Sequence, residues 1–64
     1  MAEELQEAAR SIVVGLRQAE ELARQGKREE AEKLYRELKK QALEKRLYRG
    51  FAGLFRRVEG LIRG

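Results

Sequence analysis

The side chains that most often carry catalysis are nearly absent from this 64-residue chain. It has no histidine, cysteine or aspartate, and its one serine, Ser11, has no neighbour in sequence that could act as a general base. Paired carboxylates such as Glu29 and Glu32 lie in a highly charged stretch, where a solvated helix surface is the simpler interpretation. No loop has the spacing of a metal site. We therefore predict a protein that is not an enzyme, with no catalytic residue, metal ligand or cofactor.

Basic residues are the second feature that could do chemistry. Residues 1–38 have a net charge of −2, whereas residues 39–64 have eight basic and two acidic residues and a net charge of +6. Such a segment could bind nucleic-acid phosphates. The candidate contacts are Lys39, Lys40, Lys45, Arg46, Arg49, Arg56, Arg57 and Arg63. The alternative, which we favour at this point, is that they form the solvated rim of an apolar contact between subunits, because no nucleic-acid-binding motif is present.

The composition restricts the elements that could position these residues. Proline, asparagine, aspartate and threonine are all missing, so the turns that β-hairpins need are almost unavailable. We predict an all-α fold in a single domain, residues 1–64. Abundant Arg and Glu suit either a thermostable natural protein or a de novo designed one, and the run from Glu29 to Tyr35 resembles idealised helix design.

Apolar periodicity predicts a helix over residues 3–25, a turn at 25–27 around Gly26, and a second helix from residue 28. The apolar face changes sides after Ala42, and no capping residue follows that would start a new helix. We predict one long second helix over residues 28–62, giving a helical hairpin. The alternative is a monomeric three-helix bundle with a break near Tyr48–Gly50.

The predicted turn resembles part of a known repeat. Gln25-Gly26-Lys27-Arg28-Glu29-Glu30-Ala31, followed by Tyr35, is similar to the hairpin of a tetratricopeptide repeat, and Ala19 falls where that repeat has a small residue. The resemblance covers residues 12–40 and implies a local helical hairpin. Gly15 and Gln18 depart from the family pattern, which has an aromatic residue and a leucine there. Because no second copy follows, peptide binding by stacked repeats is not implied.

A long second helix would leave a large apolar strip without a partner inside the hairpin. We therefore predict a structural self-assembly module, a homo-oligomeric helical bundle. The predicted oligomer interface comprises Leu43, Leu47, Phe51, Leu54, Phe55, Val58, Leu61 and Ile62. Two alternatives use the same C-terminal helix: a small basic nucleic-acid-binding accessory protein, and a binder of another protein or of a membrane surface. The membrane is the least favoured partner. With no signal or transmembrane segment apparent, we expect a soluble, cytoplasmic protein.

Overall fold

The computed structural model describes residues 2–64, with side chains from Glu3 onwards, so Met1, the first residue of the predicted domain, lies outside the described residues. The chain forms three helices, α1 (Ala2–Arg24), α2 (Arg28–Glu44) and α3 (Tyr48–Arg63). No strand occurs in residues 2–64, which confirms the all-helical prediction. Within the same range, none of the helices has the length and apolar character needed to cross a bilayer.

The turn between α1 and α2 occupies residues 25–27, where the sequence pattern places it. Gly26 has a φ of 82°, in the left-handed region that glycine adopts without steric cost. The Lys27 N–H donates to the Leu22 carbonyl at 2.9 Å, and the Gly26 N–H donates to the Ala23 carbonyl at 3.1 Å. These two bonds define a Schellman motif, which satisfies carbonyl groups at the end of α1.

A second turn at residues 45–47 interrupts the predicted continuous helix over residues 28–62, so that prediction is wrong. The same two hydrogen bonds recur: the Leu47 N–H donates to the Ala42 carbonyl at 2.7 Å, and the Arg46 N–H donates to the Leu43 carbonyl at 3.2 Å. Here the left-handed residue is Arg46, with a φ of 57°. The alternative break near Tyr48–Gly50 lies too late, because Gly50 belongs to the first turn of α3.

Burial explains why the chain turns back at a site with no glycine. The turn returns the apolar side of α3 to the core, where Phe55, Val58 and Ile62 are buried among residues of α1 and α2. Burying each of these side chains is worth about 1.5–3 kcal/mol. A left-handed non-glycine residue costs about 1–2 kcal/mol, so the gain from burial exceeds the cost at Arg46.

The core runs along the centre of the three helices and contains no charged residue among those described. Each helix contributes to it, and its fully or nearly buried members are Ile12, Leu16, Ala19, Ala31, Tyr35, Leu38, Ala42, Phe55, Val58 and Ile62. The contact between α1 and α2 is especially close at Gly15, where an added Cβ would lie 2.6 Å from Leu38 Cδ2. Small residues at this crossing thus let Leu38 pack directly on the backbone of α1.

Ion pairs contribute little to the arrangement of the helices. Among the described residues, only Arg57–Glu20, at 3.4 Å, connects two helices, joining α3 to α1. The other three pairs lie within single helices at i, i+4 spacing. Exposed pairs of this kind contribute about 0–1 kcal/mol, so apolar packing is the main source of the tertiary structure.

Candidate nucleic-acid interface

The eight side chains of the predicted oligomer interface occupy three different environments. Phe55, Val58 and Ile62 are buried within the single chain, so they do not form an exposed seam. Leu47, Phe51 and Leu61 are half-buried. Leu43 and Leu54 remain exposed, at 56% and 39% of their full surface. The reason for predicting an intersubunit seam is thereby corrected: helix α3 turns back and covers most of that strip with its own chain.

The surface between α2 and α3 contains two clefts. The first has a volume of about 280 Å³, and we call it the tyrosine cleft because the mostly buried Tyr35 lies in its lining. Its full lining is Arg28, Glu32, Tyr35, Arg36 and Lys39 from α2, with Glu59, Ile62 and Arg63 from α3. The helices are antiparallel, so the start of α2 and the end of α3 meet here.

The second cleft lies at the other end of the same surface, beside the second turn, and we call it the turn cleft. It is lined by Leu43, Arg46, Tyr48 and Arg49. The first turn of α3 begins here and has no acidic residue, and the helix start has no side-chain cap. The backbone N–H groups at this helix start therefore add positive potential to that of Arg46 and Arg49.

Lys39 connects the two clefts. Its Nζ lies 6.0 Å from the ring centre of Tyr35 and 5.7 Å from the ring centre of Tyr48. Both tyrosine rings pack on the buried Phe55, with ring centres 5.7 Å and 5.0 Å away. The rings are thus held in place by the core, and the lysine ammonium lies over them in a cation–π arrangement.

The hydroxyl group of Tyr35 is a hydrogen-bond donor without an acceptor among the described side chains. It makes no hydrogen bond to another side chain among residues 3–64 and is open to solvent, although the residue as a whole is only 7% exposed. Burial, reinforced by the negative charge of Glu59, raises the pKa of Tyr35 above its usual value. A tyrosine is protonated at neutral pH even at its ordinary pKa of about 10, so the phenol can donate a hydrogen bond within the tyrosine cleft.

The two clefts together account for the whole net charge of the chain. Their linings contain six of the 15 basic residues and two of the 11 acidic residues, which is the net charge of +4 calculated for the full sequence. The basic and acidic residues outside the clefts therefore balance. Arg56 lies seven residues from both Arg49 and Arg63, so it shares their side of α3 and extends the same basic surface. We call this surface the α2–α3 face.

The structure separates the eight basic residues that the sequence grouped as candidate phosphate contacts. Lys39, Arg46, Arg49, Arg56 and Arg63 lie on the α2–α3 face. Arg57 instead pairs with Glu20 on α1. Lys45 lies on the other side, in a shallow depression with Glu4, Glu7 and Gln41. Lys40 is exposed on α2 and lines neither cleft.

Sequence reasoning missed four residues of this face: Arg28, Tyr35, Arg36 and Tyr48. The two arginines lie in the N-terminal part of the chain, whose net charge is negative, so the charge count pointed away from them. Both tyrosines fall at positions that a helix pattern assigns to the core. Only the antiparallel packing of α3 on α2 brings Arg28, Tyr35 and Arg36 beside the basic side of α3.

No group of three or more histidine, cysteine, aspartate or glutamate side chains in residues 3–64 is arranged to hold a metal ion. Comparison of the chain with protein-family models, with curated proteins and with solved structures finds no match. The tetratricopeptide-repeat resemblance and the designed or thermostable origin therefore stay predictions.

Proposed function

We propose that this protein is a non-catalytic nucleic-acid-binding module that holds phosphate backbones on its α2–α3 face. The observation that carries the proposal is the concentration of the chain's entire net charge in the two clefts between α2 and α3. The competing interpretation of the basic residues, as the rim of an apolar seam, loses its support because Phe55, Val58 and Ile62 are buried inside the single chain.

The chemistry of the face favours phosphate contacts over reading of bases. Arginine guanidinium groups bind phosphate oxygens through two parallel N–H donors, and five arginines line the clefts. Asparagine is missing from the sequence, and no glutamine lines either cleft, so the usual partners of adenine edges are not available there. Binding should therefore depend weakly on base sequence and strongly on salt.

Flexible single strands suit this face better than rigid duplexes. Tyr48 is half-buried in the lining of the turn cleft, and a base could stack on its ring where the mobile Lys39 side chain, whose ammonium lies 5.7 Å from the ring centre, moves aside. Stacking on an aromatic ring is available only to bases that are not already stacked in a duplex. We therefore expect tighter binding to a single-stranded oligonucleotide than to a duplex of equal length.

A salt titration of oligonucleotide binding tests the proposal. The logarithm of the association constant should fall linearly with the logarithm of salt concentration, with a slope of about −0.7 for each phosphate neutralised on a single strand. Replacing Arg49 and Arg56 together by glutamine removes two contacts, so the slope should become shallower by about 1.4. Fluorescence anisotropy at several salt concentrations measures both quantities.

The matched control is the pair Arg10→Gln and Arg17→Gln on the exposed side of α1. It lowers the net charge by the same two units but leaves the α2–α3 face intact. We expect its binding to stay close to that of the unaltered chain. If the two double variants bind the oligonucleotide equally weakly, the attraction depends only on the overall charge of the chain. If the unaltered chain does not bind at low salt, the proposed function is excluded.

Self-association is a second candidate function, supported by the exposure of Leu43 and Leu54, two members of the predicted interface. Leu5 is also 49% exposed and lies in the first turns of α1. Those turns approach the C-terminal end of α2, because Glu4 and Glu7 share a depression with Gln41 and Lys45. Leu5 and Leu43 thus mark the same end of the bundle and could contact a second copy of the chain.

A further inference from the structure

The charge inside the tyrosine cleft suits a small dianion. Four cations line the cleft, and two of them pair with glutamates of their own helices: Arg36 with Glu32 at 2.7 Å, and Arg63 with Glu59 at 3.3 Å. Arg28 and Lys39 have no such pair among the described residues. The cleft therefore keeps a net charge of +2, and no ion pair bridges α2 and α3 across it in the described chain.

The cleft also offers a directed hydrogen bond. The Tyr35 ring is fixed against Phe55 in an edge-on contact, with an angle of 68° between the ring planes. Because the ring is fixed by the core, its hydroxyl is pre-positioned in the cleft lining, and it donates to no described side chain. The lining of the cleft thus contains a phenol hydroxyl and two cations without a carboxylate partner, and all three are groups that can donate hydrogen bonds to an oxyanion.

We propose that the tyrosine cleft binds the terminal phosphate of a nucleic-acid strand, an inference that rests on the proposed function of the α2–α3 face. A phosphate monoester carries a charge of about −1.5 to −2 at pH 7, which matches the cleft, whereas each internal phosphodiester carries only one negative charge. A volume of about 280 Å³ is near the lower limit of about 300 Å³ for small-molecule sites, so it suits a strand end.

The neighbouring turn cleft favours a strand end over another carrier of the same group. It continues the basic surface past Lys39 to Arg46 and Arg49, and it supplies the ring of Tyr48. A strand whose terminal phosphate occupies the tyrosine cleft could therefore place its next phosphates and a base along the turn cleft. A phosphorylated peptide would bring no regular series of further negative charges to this surface.

The test compares hexathymidylate bearing a phosphate at its 5′ end, at its 3′ end or at neither end, with fluorescence anisotropy as the readout. One phosphorylated form should bind about tenfold more tightly than the unphosphorylated form, because its terminal phosphate gains hydrogen bonds from donors in the cleft. The preference should shrink as the pH falls below about 6, because the phosphate monoester takes up a proton there.

Two tyrosine variants connect the preference to the cleft. Tyr35→Phe keeps the ring that packs on Phe55 and removes only the hydroxyl, so we expect the ratio of the association constants of the phosphorylated and unphosphorylated strands to fall to about one. Tyr48→Phe removes a hydroxyl outside the tyrosine cleft, so the same ratio should stay at about ten even if the variant binds both strands more weakly. Circular dichroism of both variants checks that the helices remain intact.

The outcomes separate the inference from the proposed function. If all three strands bind equally, with a steep salt dependence, the terminal-phosphate site is excluded and the proposed function stands. If inorganic phosphate binds in a Tyr35-dependent way while none of the strands binds, the proposed function fails and with it the assignment to a strand end. Tighter binding of a phosphoserine peptide than of the phosphorylated strand would also overturn that assignment.

Discussion

At the scale of single residues, two helical glycines that look alike in the sequence have different surroundings. An added Cβ at Gly15 would lie within 2.8 Å of both terminal methyl carbons of the buried Leu38, whereas one at Gly53 on α3 would meet no atom within 4 Å. Glycine costs an exposed helix interior about 0.8–1 kcal/mol relative to alanine. The two positions therefore form a matched pair for the same substitution.

We expect Gly53→Ala to raise the free energy of unfolding by about 0.8–1 kcal/mol. Gly15→Ala gains the same helix propensity but forces Leu38 to move within a packed core, and overpacking typically costs about 1–3 kcal/mol. The first variant should thus be more stable than the second by at least about 1 kcal/mol. Urea denaturation followed by circular dichroism measures the difference, and equal stabilisation by both changes would show that Leu38 yields freely.

At the scale of elements, the two turns share one hydrogen-bond pattern but differ in their left-handed residue, Gly26 in the first and Arg46 in the second. A left-handed conformation costs a non-glycine residue about 1–2 kcal/mol, while glycine loses more backbone freedom on folding. We therefore expect Arg46→Gly to raise the free energy of unfolding by about 0.5–1 kcal/mol.

The reverse change, Gly26→Ala, places a side chain in the left-handed region at the equivalent position and should lower the free energy of unfolding by about 1 kcal/mol. Thermal and urea denaturation of both variants test this pair. Destabilisation by Arg46→Gly would mean that contacts of the arginine side chain outweigh its backbone cost. Such a result would require a role for Arg46 in folding that its exposed position does not suggest.

At the scale of the whole molecule, a glutamate substitution should unfold the chain where the apolar side chain is buried within it, and should only prevent association where that side chain contacts another chain. Phe55 is fully buried at the centre of the three helices, whereas Leu43 is 56% exposed. A buried, unpaired charge costs several kcal/mol, which is comparable to the entire stability of about 3–5 kcal/mol expected of so small a core.

We therefore expect Phe55→Glu to unfold the chain and Leu43→Glu to leave the helices intact. Light scattering over a range of concentrations gives the solution mass. If copies of the chain associate at the end marked by Leu5 and Leu43, the Leu43→Glu variant should be a folded monomer under conditions where the unaltered chain is larger. A folded Phe55→Glu variant of lower mass would instead restore Phe55 to an interface between chains.

Local patterns were sufficient for the elements that depend on neighbouring residues. The lack of turn-forming residues predicted a helical fold, and the apolar spacing together with Gly26 predicted α1 and the turn after it. Both predictions were possible because backbone propensity and the left-handed conformation of glycine depend only on residues close in sequence. The same local rules could not locate the second turn, since neither Arg46 nor Leu47 is a turn or capping signal, and a break near Tyr48–Gly50 was only an alternative.

The second turn and the α2–α3 face were decided only by the tertiary structure. A turn at Arg46 is unfavourable locally and forms because it lets Phe55, Val58 and Ile62 reach a core built by α1 and α2. The same turn brings Arg28, Tyr35 and Arg36 beside the basic side of α3. Sequence alone determined how much positive charge the chain carries. The concentration of that charge on one face depends on contacts between residues that are far apart in the sequence, and local sequence patterns do not predict such contacts.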